Sequence, residues 1–285
     1  MRYTCLLAIT MGIAGSPGYG AVIYNNLTPN NMMAVATRPD TAPFEIEAGD
    51  DFLLTSSAEI SGAHFVGLEV PNAAGGQFSI QQIVVEIYRV FPLDSNTVRV
   101  PNVPTRANSP SDVALDARDS AGNELAFSST PLNPTFTSLN SVAPGGIHPS
   151  PLQTTGGDLA KTGAEVQIDV TFGTSFSLPE GHYFFVPQVL LTNGAQFYWL
   201  SASRPISGSG TTPFAPDLQA WTRDQFLDPD WLRVGTDIVG GGAAAPQFNM
   251  AFSLDGIATP EPSAAVLGLT GLALIAAGIR RRTPR

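Results

Sequence analysis

Carboxylates and aromatic rings are the side chains whose types and spacing could support chemistry in this sequence. Asp224, Asp228 and Asp230 flank Trp221, Phe226 and Trp231, and Tyr198 and Trp199 stand a short way upstream. Flat sugar faces stack on aromatic rings while neighbouring carboxylates accept hydrogen bonds from hydroxyls. Trp221, Trp231 and Asp224 are therefore the candidate glycan contacts, and a carbohydrate-binding module for exopolysaccharide is one functional class they support. The competing placement puts Trp199 and Trp221 in a core. Hard cations take oxygen ligands, often from loop aspartates, so Asp228 and Asp230 are the candidate Ca²⁺ ligands, although Asp228-Pro229-Asp230 is also ordinary turn chemistry. A second acidic group, Glu45, Glu47, Asp50 and Asp51, surrounds Gly49 and reads as solvated turn acids. Paired carboxylates also serve glycoside hydrolysis, at separations that a sequence does not reveal. A secreted polysaccharide hydrolase is the third class.

Other catalytic chemistry finds few residues. The histidines are His64, His148 and His182, with His64 and His182 inside strand-like patterns and His148 in a Gly/Pro-rich loop. No His-Glu-x-x-His stretch and no Gly-x-Ser-x-Gly elbow occurs, and Gly240-Gly241-Gly242 lacks the lysine of a phosphate loop. The single cysteine, Cys5, lies near the N-terminus. These observations lead to the expectation of a protein that is not an enzyme and carries no resident cofactor.

The surroundings of these residues are legible from composition. Only 13% of the 285 residues are charged, about half the usual fraction, and 28 glycines and 24 prolines interrupt the chain. Long helices and coiled coils are excluded. With 14 Lys+Arg against 24 Asp+Glu, so is the basic footprint of a nucleic-acid binder.

Local patterning is almost entirely of strand type. Ile83, Val85, Ile87 and Arg89 alternate with Val84, Glu86, Tyr88 and Val90, so both faces are mostly apolar and a central, covered strand is predicted. Val166, Ile168, Val170 and Phe172 alternate with Gln167, Asp169 and Thr171, which predicts a half-exposed strand. Residues 60–70 and 248–254 read as further strands, and residues 182–192 and 195–202 as a hairpin about Asn193-Gly194. Residues 219–227 are a short helix candidate. Eight prolines between residues 92 and 163 predict long surface loops with short strands at 113–115 and 125–127. The sum is an all-β antiparallel β-sandwich, jelly-roll-like, over residues 22–259.

The two ends read as addresses. Arg2, an apolar run over residues 5–14 and small residues up to Ala21 form a secretory signal peptide over residues 1–21. Residues 264–279 carry no charge and precede Arg280-Arg281-Arg282; such a helix rises about 24 Å, short of the roughly 30 Å hydrocarbon core unless Pro262, Ser263 and snorkelling arginines extend it. Arginines after the span place the C-terminus in the cytoplasm and the preceding domain outside. The ends hold five of the fourteen cations and one acid, so the exported part carries a charge of about −14.

Pro260-Glu261-Pro262-Ser263, the Gly/Ala/Leu-rich span and the terminal arginines together resemble the PEP-CTERM sorting signal of Gram-negative, exopolysaccharide-producing bacteria. Gly49-Asp50-Asp51-Phe52-Leu53-Leu54 also resembles the opening of many exported β-domains that carry this signal. The resemblance implies an exosortase-type membrane protease that recognises residues 260–285, with Pro260, Glu261, Pro262, Ser263, Arg280, Arg281 and Arg282 as its recognition elements. It implies an inner-membrane-anchored precursor that is processed and passed to the cell surface or extracellular matrix, in a structural or adhesive role and possible contact with exopolysaccharide.

Overall fold

A computed structural model describes residues 20–41, 43–145, 147, 154–203, 218–241 and 244–259. His148, the apolar run at 5–14 and the whole segment 260–285 lie outside the described residues. No helix among the described residues is long and apolar enough to cross a membrane. The described chain is mostly β, with strands β1 (Ala21–Asn25), β2 (Pro29–Ala36), β3 (Ile46–Leu54), β4 (Ala58–Val70), β5 (Ile80–Arg89), β6 (Asp116–Asp119), β7 (Leu125–Ser138), β8 (Ser141–Val142), β9 (Lys161–Leu178), β10 (Gly181–Leu191), β11 (Gln196–Ala202), β12 (Trp221–Asp224), β13 (Leu232–Arg233) and β14 (Phe252–Ala258).

These strands form two sheets that face one another across a shared core. A six-stranded sheet runs β13-β12-β3-β10-β5-β6, and an eight-stranded sheet runs β1-β14-β4-β11-β2-β8, with β9 on the other side of β4 and β7 beyond β9. Between them, Phe185 of β10 stacks on Phe252 of β14 at 5.0 Å, and Phe252 also meets Trp199, Phe52 and Tyr24 at 5.7, 6.3 and 4.7 Å. Phe252 is thus the ring on which both sheets converge, and offset or edge contacts of this kind add to the area it buries.

The eight-stranded sheet curls at one end. Strand β4 pairs with β14 through residues 58–65 and with β11 through residues 67–70, while β9 follows its other edge. Strand β11 continues to β2 and β2 to β8, and β8 directly follows β7, the partner of β9. Hydrogen-bonded neighbours therefore run round the curl, which buries both faces of the strands in it: Tyr198 and Leu200 are as buried as Phe197 and Trp199. Gly67 is needed at this crossing, because a Cβ there would collide with the Phe197 ring and the Tyr198 carbonyl.

Several expectations are met and several are corrected. Strand β5 is covered on both faces, and β9 shows the predicted inward row Val166, Ile168, Val170 and Phe172. The predicted hairpin is instead an arch: Asn193 and Gly194 take the positive φ values of a tight turn, 56° and 69°, but β10 lies in one sheet and β11 in the other. Strand β10 is apolar on both faces and is hydrogen-bonded to β5 along residues 183–191 and to β3 along residues 181–185, while β11 pairs with β4 and β2. The helix expected at 219–227 is strand β12 followed by a turn. Pro131 and Pro134 do not end β7, which is an edge strand where a missing N–H is tolerated.

Phe252→Ala is expected to cost about 3–5 kcal/mol, read as a lowered midpoint in denaturant unfolding. Phe226→Ser, at a ring 70% exposed, is expected to change stability by less than about 1 kcal/mol.

Candidate functional site

Strand β3 brings the two acidic groups of the sequence together. It pairs antiparallel with β12, placing Arg223 opposite Glu47 and Trp221 opposite Gly49. On the inner face of β3, Ile46, Ala48, Phe52 and Leu54 join the main core. On the outer face a second apolar cluster forms from Tyr88, Val90, Phe184, Val186, Leu218, Trp221 and Trp231. The irregular segment 91–115 covers it, held by backbone bonds from Ser111 N–H to Arg89 O (2.9 Å) and Leu115 N–H to Ile87 O (2.7 Å). The Trp231 indole N–H donates to Ser111 O at 3.2 Å.

Arg223 is the hub of this outer layer. Its guanidinium donates to both Glu47 oxygens, at 2.9 Å for Oε1, and to the Tyr88 hydroxyl at 2.9 Å. Asp228 pairs with Nη1 at 2.8 Å, and the guanidinium carbon lies 4.3 Å from the Trp231 ring centre. Burial opposes the Arg223 charge, but Glu47 and its neighbours outweigh it and push the guanidinium pKa up. The Tyr88 hydroxyl, whose pKa is pushed up by burial and by Glu47, donates to Glu47 Oε1 at 2.7 Å, and its oxygen lies 3.0 Å from Glu86 Oε2. Burial, then the Glu47 charge, push Glu86 up to about 8. Burial and Glu47 likewise push Glu45 up, against a hydrogen bond from Gln188.

Carboxylate oxygens of Glu45, Glu47 and Glu86 all lie within 4.8 Å of one another. They offer hard oxygen donors of the type Ca²⁺ prefers, yet Arg223 already supplies the positive charge and Tyr88 already bridges two of the acids. Chemically the group holds a proton on Glu86 beside an arginine-neutralised Glu47.

The sequence-derived candidates are brought here, but not as contacts for a ligand. Trp221 and Trp231 are each 1% exposed, so neither presents a face to a sugar; they were drawn inward because the outer side of this sheet needs an apolar cover. Asp224 closes the turn after β12, its Oδ1 accepting from the N–H groups of Phe226 and Leu227, both at 3.0 Å. Asp228 and Asp230 do not converge on one cation position. Asp228 reaches Arg223, whereas Asp230 accepts from Arg99 Nη1 at 3.1 Å and from Asn102 N–H at 2.6 Å. Burial works against the Asp230 charge, but these bonds and the charges of Arg99 and Arg106 hold its carboxyl below the ordinary carboxylate range. Asp50 and Asp51 are not solvated turn acids: both are buried within β3, where Asp50 Oδ2 accepts from Met250 N–H at 2.7 Å and Asp51 meets His182 Nε2 at 2.5 Å. Nothing in the local pattern marks Arg223, Arg99 or Arg106 as partners of these acids; the one available signal was Glu86 and Tyr88 on an otherwise apolar strand.

His64 lies on the outer side of the other sheet, between Asp169 at 2.6 Å and Asp255 at 2.8 Å on the adjacent strands β9 and β14. Burial opposes its charge, but the two aspartates prevail and its pKa is raised.

No family model, curated protein or solved structure matches the chain.

Arg223→Met leaves Glu47 buried without its counter-ion and is expected to cost about 3–5 kcal/mol in chemical unfolding. Adding Glu47→Gln should recover a large part of that loss; a cycle without such coupling contradicts the pairing. For His64, the raised native pKa means that its contribution is complete below the unfolded-state value of about 6.5 and is lost as pH rises through the higher native value. His64→Gln should flatten that part of the stability profile, measured by urea unfolding between pH 5.5 and 8.5.

Proposed function

We propose that this chain is an exported, non-enzymatic β-sandwich protein, sorted by an exosortase-type protease through residues 260–285 and delivered to the cell surface or extracellular matrix in a structural or adhesive role. The observation that carries the reading is the ordered set Pro260-Glu261-Pro262-Ser263, uncharged span and Arg280-Arg281-Arg282.

The boundaries of the fold support it. Strand β1 starts at Ala21, where the signal-peptide cut is expected, and β14 ends at Ala258, two residues before Pro260. The two strands are hydrogen-bonded neighbours, with Ala21 opposite Gly256, so both addresses leave the domain at one place. Removing either costs the fold no strand. The motif prolines keep the tripeptide out of any helix that follows, and Thr259 alone separates it from β14.

The acids support a structural role in the same way. Asp224 is committed to a turn and Asp228 to Arg223, so neither stands ready as the acid or base of a hydrolase.

Changing Pro260-Glu261-Pro262 to three alanines should leave the tail uncleaved in cells that contain the sorting protease, read as a larger, membrane-retained band. Normal processing of that variant would overturn the reading.

A further inference from the structure

Six arginines among the described residues, Arg89, Arg99, Arg106, Arg118, Arg223 and Arg233, are ion-paired. Arg38 and Lys161 are the described cations without a carboxylate partner, and they line neighbouring grooves. One groove, of about 560 Å³, includes Arg38 and Gln81; the other, of about 260 Å³, includes Lys161, Gln196 and Tyr198; Gly194 borders both. The two cations address the same phenol: Lys161 Nζ lies 5.2 Å from the Tyr198 ring centre, and the Arg38 charge acts on the Tyr198 hydroxyl.

We propose that these joined grooves, at the β10–β11 arch, bind a carboxylate-bearing saccharide. The inference is independent of how the chain is sorted. Lys161 is the only lysine in the sequence, and its ammonium makes no hydrogen bond among the described residues. Arg38 spends Nε and Nη2 on the Phe44 carbonyl, at 3.0 and 2.7 Å, leaving Nη1 for a ligand. Burial without a counter-ion lowers the Arg38 pKa, so an incoming carboxylate would meet a guanidinium that gains from it. Each cation has an amide in its own groove: Gln196, beside Lys161, accepts from the Tyr198 hydroxyl at 2.8 Å and keeps its amide N–H groups, and Gln81, in the Arg38 groove with Pro43, Leu190 and Leu191, is exposed. Separated cations, each with an amide in its groove, suit a chain whose carboxylates alternate with hydroxyls.

The opposing charges are also in view. Asp158 acts on Tyr198, and Glu165 shares the Lys161 face of β9 without pairing with it. A domain of about −14 repels polyanions at long range, so binding should be local, of low affinity and steeply weakened by salt.

The test is calorimetric titration of the full-length chain with tetragalacturonate, its methyl ester and tetraglutamate. Tetragalacturonate should bind, the ester should not, and tetraglutamate should bind at least several-fold more weakly. Lys161→Gln should weaken tetragalacturonate binding about tenfold, with Lys161→Arg retaining it. Lys161 has no hydrogen bond to lose, so an unchanged melting temperature will show that Lys161→Gln is folded; Arg38→Gln is the second variant, expected to act in the same direction. Undetectable binding, equal binding of the ester, equal or tighter binding of tetraglutamate, or unchanged affinity in folded Lys161→Gln would each overturn the proposal.

Discussion

The outer side of the six-stranded sheet is covered around β12 and the neighbouring parts of β3, β10 and β5, and the pairing of Arg223 with Glu47 is what permits that. A sheet covered on one side places polar residues on the other, and Glu47, Glu86 and Tyr88 follow that pattern on β3 and β5. Here segment 91–115, with Leu218 and Trp231, covers part of the polar side as well. A carboxylate closed off in this way must be neutralised or protonated, and the structure does both: Arg223 neutralises Glu47, and Glu86 keeps its proton. The same guanidinium lies over Trp231 and reaches Asp228, so one side chain ties together β3, β5, β12 and the turn after it. Arg99 then fastens the covering segment to Asp230, and Arg106 pairs with Asp112 within that segment. Truncating such a pair on one side is costly even where the pair itself adds little net stability.

Most strands were legible because their information is local. The alternation of residues 83–90 is enough to show a strand buried on both faces, and residues 166–172 enough to show one buried on a single face. What failed was information carried between distant segments. Arg223 and Glu47 are 176 residues apart, so an acid that reads as a solvated turn residue becomes a buried strand residue only once its partner is known. Trp221 and Trp231, placed beside three aspartates, look like a sugar platform in sequence; the cluster that claims them comes from β5 and β10. The arch at Asn193-Gly194 has the backbone angles of a hairpin, and only the distant partners of its two strands, β5 and β3 for β10 and β4 and β2 for β11, place them in different sheets.

Charge connects the fold to the functional reading. The chain is acidic, yet its described arginines are largely consumed in ion pairs that hold loops and the outer layer together. Among the described residues that leaves Arg38 and Lys161 as the cations without a carboxylate partner. Strands β1 and β14, which border the two proposed sorting segments, pair elsewhere in the fold. The proposed processing and the proposed ligand contact therefore fall on different parts of the same domain, and Asp228 and Asp230, which first suggested ligand chemistry, pair with Arg223 and Arg99.

The central claim is that the outer side of the six-stranded sheet carries a second core, in which Arg223 and Glu47 are buried beside Glu86. The most direct measurement is the titration of the Glu86 carboxyl carbon by ¹³C NMR in the folded chain. The account predicts a midpoint of about 8. A midpoint near the ordinary glutamate value of 4.5 would contradict it, because it would show that neither burial nor the Glu47 charge acts on Glu86.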